Sequence, residues 1–301
     1  MKIICIGEIL WDVFPEAEHL GGATFNFAAH ARRLGHDVVF ISAVGDDERG
    51  RAARARAAGL GLPAEFIRIV PGAKTGIVTV QLDPSGQPTF TIHRPAAYDL
   101  LQLDESDYER ISLCQPDWIY YGTLYQTNPH TRDLIRKAIE QCPRAKRFYD
   151  INLRRDSYTP ALVEELIQAA NVVKLNEDEA ATVGSLLSLP HRSTEEFCRL
   201  SADRFHLDAI CVTRGEKGCV ILSGGRYAEV AGYPVNVRDT VGSGDAFAAA
   251  FLHGLSQAWT PDKTGDFANR LGALVASREG AIPPWSVEEC EALARPAQRE
   301  E

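Results

Sequence analysis

Short apolar runs alternate with longer segments of helical period along most of the chain, and this rhythm constrains the fold more than any other feature. The chain begins with KIICIG, ATFNFAAHARRLG, DVVFISAVG and DERGRAARARAAGLG. Later apolar runs are DWIYYG, RFYDIN, VVKLN and DAICVT, between potential helices such as PHTRDLIRKAIEQC and TPALVEELIQAA. Such alternation is typical of βαβ units. The sequence therefore predicts an α/β fold with an open, mostly parallel central sheet flanked by helices.

One stretch interrupts this alternation. TGIVTVQLDPSGQPTFTIHRP contains two β-rich runs around DPSGQP, which predicts a hairpin whose turn contains Pro84 and Gly86. Segments 11–21 and 76–98 are expected to form a small separate sheet. Because no repeat or Gly/Ser linker divides the chain, we predict a single domain, 1–301, with this sheet inserted in it. The polar tail EALARPAQREE is expected to fray.

Composition excludes several classes of protein. The 301 residues are 45% apolar, which is enough for a substantial core. A net charge of −9 and the lack of a basic run argue against nucleic-acid binding. The sequence has neither an apolar run of about 18 residues nor a secretory signal pattern, so we predict no membrane partner and a cytoplasmic location. Seven scattered cysteines without CxxC indicate buried reduced thiols.

Polar residues follow several of the predicted strands. Ligands collect at the carboxyl ends of parallel strands, where loops and helix N-termini converge. Side chains and glycines of this kind bind hydroxyls, phosphate, hydrated metal and nucleotides. The residues in question are Glu8, Asp12, Asn152, Arg154, Asn176, Glu179, Thr213, Gly215 and Gly218.

Two common nucleotide motifs are missing from the sequence. PGAKTG has Ala73 where a P-loop needs its second glycine, and no GxGxxG follows the first strand. Instead, RDTVGSGDAFAAAF places Gly242, Ser243, Gly244 and Asp245 where an apolar helix begins. Backbone N–H groups and the helix dipole at such a start attract anions. An ordinary helix start, with glycine before it and aspartate in its first turn, explains the same residues.

Taken together, the motifs resemble the ribokinase-like (PfkB) family of carbohydrate kinases over nearly the whole chain. The resemblance is carried by GGATFNFAAHARRLG with VGDDERG, by NEDE and VTRGEKG, and by DTVGSGDAF, in this order. The family usually has alanine where Ser243 stands, a small difference that leaves the anion-binding backbone unchanged. The resemblance implies a ribokinase-like fold and ATP-dependent transfer of the γ-phosphoryl group to a sugar hydroxyl.

Asp245 matches the catalytic base of the family, which accepts the proton of the attacking sugar hydroxyl. The backbone N–H groups around Gly242, Ser243 and Gly244 would then stabilise charge on the phosphoryl oxygens. With the companion motifs in view, this interpretation is favoured over an ordinary helix start.

Asn176 and Glu179 match the NxxE element that holds hydrated Mg²⁺ beside ATP in the family. A helix cap explains the same pair, and both interpretations can hold together. By resemblance, Asn269 lies near the adenine, although polarity on a helix surface explains it equally well. The nucleotide-binding residues implied by the resemblance are Asn176, Thr213, Gly215, Gly218 and Asn269.

Four residues match positions that bind sugar hydroxyls in the family: Asp12, Gly21, Gly22 and Asn26. The two glycines also fit an ordinary helix start, whereas an asparagine inside an apolar helix needs a polar partner. Arg154 is a further candidate for contact with substrate or phosphate, and a surface salt bridge explains it almost as well.

The family resemblance implies two further features. Asp239, Val241 and Gly280 correspond to a monovalent-cation site, which leaves dependence on K⁺ open. Segments 11–21 and 76–98 correspond to a lid that closes over the sugar and excludes water. In many members this lid pairs with a second subunit, so we expect a homodimer.

The substrate is the least determined feature. GEILWDVFP, FTIHRPAAYD and DINLR resemble the fructokinase and 2-keto-3-deoxygluconate kinase branch more than the nucleoside kinases, so fructose is the first expectation. Another sugar or sugar acid, such as 2-keto-3-deoxygluconate or ribose, is the alternative within the enzymes. A catalytically idle sugar-binding relative is the alternative outside them, and the intact GSGD and NEDE motifs argue against it.

Overall fold

The computed structural model describes residues 1–82, 88–154 and 157–294, which form two units. The first unit comprises Met1–Arg147 and Arg154–Tyr158, and the second comprises Phe148–Leu153 and Thr159–Glu301. The single domain, 1–301, therefore stays a prediction. The predicted turn at Pro84 and Gly86 and the tail from residue 295 onward lie outside the described residues.

Strands and helices alternate along only part of the first unit, which also has two runs of three consecutive strands. Its helices are α1 (Ala23–Arg33), α2 (Glu48–Gly59), α3 (Glu105–Leu113), α4 (Thr123–Gln126) and α5 (Pro129–Gln141). Its strands are β1 (Lys2–Ile6), β2 (Leu10–Val13), β3 (Glu18–Gly21), β4 (Asp37–Gly45), β5 (Ile67–Val70), β6 (Gly76–Leu82), β7 (Pro88–Ile92) and β8 (Trp118–Gly122).

Two sheets form in the first unit. Strand β1 pairs in parallel with β4 and β8, and β4 pairs in parallel with β5. Residues 3–6 of β1 are fully buried, as is usual for a parallel strand covered on both faces. A second sheet has the strand order β3-β2-β6-β7, with β6 and β7 antiparallel. The strands of this small sheet cover residues 10–13, 18–21, 76–82 and 88–92, against the predicted segments 11–21 and 76–98.

The second unit continues the alternation and ends in three helices. Its strands are β9 (Lys146–Asp150, of which 148–150 belong to this unit), β10 (Val172–Asn176), β11 (Ala209–Thr213), β12 (Cys219–Ser223) and β13 (Arg226–Val230). Its helices are α6 (Pro160–Gln168), α7 (Glu177–Leu186), α8 (Thr194–Phe205), α9 (Ser243–Ser256), α10 (Pro261–Ala276) and α11 (Val287–Ala292).

Strands β9, β10 and β11 pair in parallel, whereas β12 and β13 continue the sheet as an antiparallel hairpin. The sequence analysis did not identify this hairpin. Its turn holds Gly224 and Gly225, with φ of 56° and 77°, and consecutive glycines between β-rich runs are a hairpin signal. The fold class, a large and mostly parallel sheet flanked by helices, is confirmed.

Burial in α9 and the state of the cysteines also agree with the sequence. Residues 246–252 of α9 are all buried, as expected of a helix that is apolar on every side. All seven cysteines are free, and six of them are buried. Among the described residues, no helix is long and apolar enough to cross a membrane.

Candidate active site

Helix α9 begins at a glycine whose conformation other residues rarely adopt. Gly242 has φ of 77°, and a methyl group on its Cα would lie 2.4 Å from the carbonyl oxygen of Ala281. Both the left-handed backbone and the close approach therefore require glycine here. The Ser243 hydroxyl donates to the carbonyl oxygen of Thr240 at 2.8 Å, which braces the turn. Gly244 is exposed, so the helix start is open to a ligand.

Asp245 lies in the first turn of α9, half-buried, and is the acidic residue of that turn. The positive end of the helix dipole stabilises a carboxylate at this position. The structure thus brings together Gly242, Ser243, Gly244 and Asp245 at one helix N-terminus. An anion can meet backbone N–H groups there beside a carboxylate that can accept a proton.

A buried ion pair lies next to this helix start, and the sequence analysis missed it. The Lys174 Nζ is 3.0 and 3.1 Å from the two carboxylate oxygens of Asp150. A methyl group on Gly244 would lie 3.6 Å from the same Nζ. Burial alone would lower the pKa of Lys174, but Asp150, Glu179 and Asp245 raise it. The signal in the sequence was a lysine inside the otherwise apolar strand VVKLN.

Asn176 and Glu179 form a reciprocal cap at the start of α7. The Asn176 Oδ1 accepts from the Glu179 backbone N–H, and the Glu179 Oε2 accepts from the Asn176 N–H, both at 2.8 Å. The Glu179 Oε1 accepts from the Leu153 N–H at 2.7 Å. Burial raises the pKa of Glu179, while Lys174 and these N–H groups lower it. The helix-cap interpretation of this pair is therefore correct.

The same pair is the predicted metal site. Among the described residues, no group of three or more His, Cys, Asp or Glu side chains could hold a metal ion. Mg²⁺ keeps several waters and commonly takes one or two carboxylates together with substrate phosphates. One buried carboxylate, Glu179, and the exposed Asn176 beside it fit an ion held in that way.

The predicted nucleotide residues lie at the ends of β10 and β11 and in the following loop. In the parallel register, Asn176 of β10 is opposite Thr213 of β11. Gly215 has φ of 57°, and open space lies where a side chain would be. Either its left-handed backbone or access for a ligand therefore explains why glycine stands at this position. Gly218 has φ of 94°, and a Cβ there would lie 2.1 Å from the Val230 carbonyl oxygen. Glycine is therefore required at position 218, because a side chain would overlap the backbone at Val230.

Asn269 is buried, not on a helix surface, so polarity on a helix surface does not explain it. Its Nδ2 donates to the carbonyl oxygens of Val230 and Ala231, both at 3.1 Å. The amide thereby ties α10 to the end of β13.

The three residues predicted for a monovalent cation are brought together by one carboxylate. The Asp239 Oδ1 accepts from the Val241 N–H at 2.9 Å, and its Oδ2 accepts from the Gly280 N–H at 3.0 Å. The Asp239 carboxylate thus links the loop that carries Val241 to the loop that carries Gly280. The carbonyl groups of these loops are ligands of the kind that a monovalent cation needs.

The predicted sugar residues lie in the first unit around β2, β3 and the start of α1. A methyl group on Gly21 would lie 2.9 Å from the Asp12 Oδ2 and 3.9 Å from the Asn26 Oδ1. Gly22 has φ of 108°, and its added Cβ would be 2.7 Å from the Glu8 carbonyl oxygen. Asp12, Gly21 and Asn26 therefore lie close together.

Glu8 supports this region, although the sequence analysis gave it no specific role. Its carboxylate, 3% exposed, accepts from the N–H and the hydroxyl of Thr24, both at 3.3 Å, at the start of α1. Burial raises the pKa of Glu8, while these hydrogen bonds and the charge of Arg154 lower it. Arg154 itself is exposed. A buried carboxylate here holds the helix start that carries Asn26.

A comparison with protein-family models identifies the class of enzyme. The family model described as pfkB family carbohydrate kinase matches residues 7–288. The chain belongs to this family, and it is an enzyme that transfers a phosphoryl group to a sugar hydroxyl.

Individual relatives agree with this assignment. The chain is 29% identical to a fructokinase of Klebsiella pneumoniae over 300 residues, covering 93% of this chain and 95% of the relative. The structure of a Xylella fastidiosa fructokinase with bound ATP matches with a TM-score of 0.84 and 23% identity, covering 97% of both chains. A Vibrio cholerae fructokinase with fructose, ADP and calcium bound matches with a TM-score of 0.80 and 25% identity, covering 97% and 99%.

Proposed function

We propose that the enzyme is a fructokinase that transfers the γ-phosphoryl group of ATP to a hydroxyl of fructose. The observation that carries this proposal is the start of α9, where exposed Gly244 and the carboxylate of Asp245 share one helix N-terminus. Support for fructose comes from the Klebsiella relative and from the Vibrio structure, whose ligands are fructose and ADP. Support for ATP comes from the Xylella structure.

Asp245 acts as the base in this mechanism. A carboxylate is a weak base, and weak basicity suffices if the proton leaves late along a loose transition state. The backbone N–H groups of Gly242, Ser243 and Gly244 donate to the phosphoryl oxygens as charge builds on them. The Ser243 N–H donates to the Thr240 carbonyl oxygen at 3.3 Å and would exchange that hydrogen bond for a phosphoryl oxygen when the substrate binds.

Cations complete the nucleotide side of the proposal. Mg²⁺, when bound, neutralises charge on the ATP phosphates. Asn176 and Glu179 would hold it through water, and Thr213, Gly215, Gly218 and Asn269 would line the nucleotide. Asp239, Val241 and Gly280 would hold K⁺ beside the anion-binding turn.

On the sugar side, Asp12, Gly21, Gly22 and Asn26 would bind hydroxyl groups, and Arg154 would contact the substrate or its phosphate. The sheet of β2, β3, β6 and β7 would act as the lid and as the contact surface of a homodimer. A cytoplasmic location stays a prediction.

A substrate panel tests the proposed function. Purified enzyme with ATP and Mg²⁺ is assayed for ADP release and sugar phosphate on ketoses, aldoses, sugar acids and nucleosides. Fructose should have the highest kcat/KM, and Asp245→Asn should abolish most of that turnover. A higher value for ribose or 2-keto-3-deoxygluconate would assign the enzyme to that sugar instead. Sugar binding without turnover on any compound would indicate an idle relative.

A further inference from the structure

Lys174 is a buried cation of the second unit that lies beside the first turn of α9. Its side chain projects from β10, and the parallel register sets Lys174 opposite Asp150 of β9. Lys174 is 7% exposed and Asp150 is 1% exposed. The ammonium group contacts both oxygens of that carboxylate, at 3.0 and 3.1 Å. The pair is therefore shielded from water.

The same ammonium group faces the first turn of α9. Its Nζ lies 3.6 Å from the position that a Gly244 methyl group would occupy. Its charge interacts with Asp150, Glu179 and Asp245. One cation is thus shared by its ion-pair partner, by the predicted metal-side carboxylate and by the predicted base. These three carboxylates would repel one another and an incoming phosphate without it.

Stability alone does not explain such a pair. Removing two charges from water is costly, and apolar residues of similar volume often serve a core equally well. A buried charge acts strongly on nearby groups because the surrounding dielectric constant is low. At this position, the charge of Lys174 can act on nearby groups whose own charge changes during a reaction.

We propose that Lys174 is a positioning residue for phosphoryl transfer, whose ammonium group, held by Asp150, keeps the first turn of α9 and the Asp245 carboxylate in their reactive arrangement. This inference rests on the proposed function, because it assigns Asp245 the role of base. Lys174 acts through α9 and Asp245, not by contact with the sugar. Its loss should therefore lower kcat more than it raises the KM for either substrate.

Three variants test the proposal: Lys174→Met, Asp150→Asn, and the double variant. Lys174→Met alone leaves the Asp150 carboxylate buried without its partner, so it is expected to melt at a lower temperature. The double variant removes both charges and should fold. It should still lose about 10²-fold in kcat with little change in KM, as expected when reacting groups are displaced. Asp150→Asn, which keeps the ammonium group, should lose a clearly smaller factor.

The control is the double variant Arg199→Gln and Glu195→Gln, which removes an exposed ion pair on α8 and should leave kcat unchanged. The proposal is overturned if the Lys174/Asp150 double variant regains the kcat of the wild type, because the pair would then only compensate its own charges. It is also overturned if Asp150→Asn loses as much kcat as the double variant. Failure of the wild type to phosphorylate any sugar would refute the proposed function instead.

Discussion

Asn176 and Glu179 hold each other through two hydrogen bonds of 2.8 Å, each running from a backbone N–H to the partner's side-chain oxygen. The second oxygen of Glu179 accepts a third bond, from the Leu153 N–H. Each carboxylate oxygen retains acceptor capacity, since it has two lone pairs. The helix cap and a water-mediated metal site are therefore compatible uses of the same residues.

Glu179→Gln should raise the Mg²⁺ concentration needed for activity more than it raises the KM for the sugar. The amide has a single acceptor oxygen, so one of two partly buried N–H groups loses its partner, at a cost of at most about 1–3 kcal/mol. Titration of activity against Mg²⁺, with a melting curve of the same variant, measures both effects. Glu177→Gln, an exposed acid in the same turn, serves as the control. An unchanged Mg²⁺ profile in Glu179→Gln would remove this residue from the metal site.

Asp245→Asn should lower kcat by about 10²–10⁴ because the proton acceptor is lost. Asparagine keeps the size of the side chain, so folding should survive, and ATP affinity should change little. Asp262→Asn is a matched control, since Asp262 occupies the first turn of α10. That variant should lose at most about 1 kcal/mol of stability and retain its turnover. A folded Asp245→Asn protein with near-normal turnover would refute the mechanism.

Two glycine variants separate conformation from ligand access. Gly242→Ala should destabilise the protein by about 1–3 kcal/mol or more, because φ is 77° and the methyl group would overlap the Ala281 oxygen. Gly244→Ala meets ordinary contact with Lys174 at 3.6 Å, so its melting temperature should stay near that of the wild type. Its methyl group would nevertheless narrow the helix start and lower kcat. Equal melting temperatures for both variants, or full activity in Gly244→Ala, would contradict this interpretation.

Glu8→Gln should remove a pH dependence of stability. Burial raises the pKa of Glu8 in the folded protein above the ordinary value of 4.5. The unfolded chain therefore releases this proton at lower pH than the folded protein does. The free energy of unfolding should therefore fall as pH rises from about 4.5 through the raised pKa. The stabilising contribution of protonated Glu8 is fully present below that window. Denaturant melts of wild type, Glu8→Gln and the exposed control Glu109→Gln should show a smaller fall in Glu8→Gln alone. Parallel curves for all three would disprove the assignment.

Phe90→Glu should weaken the homodimer without altering the fold. Phe90 lies on β7 of the small sheet, the proposed contact surface, and is 50% exposed, so a charge there would be costly to bury against a second subunit. Sedimentation at several protein concentrations would detect a shift from dimer to monomer. Leu113→Glu, at an 80% exposed position on α3, is the control. A wild-type chain that sediments as a monomer would refute the dimer.

The order of most strands and helices was predictable from the sequence, because period and turn residues are local properties of the chain. DVVFISAVG forms β4 over its full length, and the GSGD motif begins α9 where the apolar helical run predicts. The β12–β13 hairpin was missed, although its Gly224 and Gly225 signalled a turn. The ion pair of Lys174 with Asp150 was not predictable from the sequence and becomes visible only in the folded chain. Those residues are 24 positions apart, and the parallel register of β9 and β10, which no local pattern encodes, sets them opposite each other.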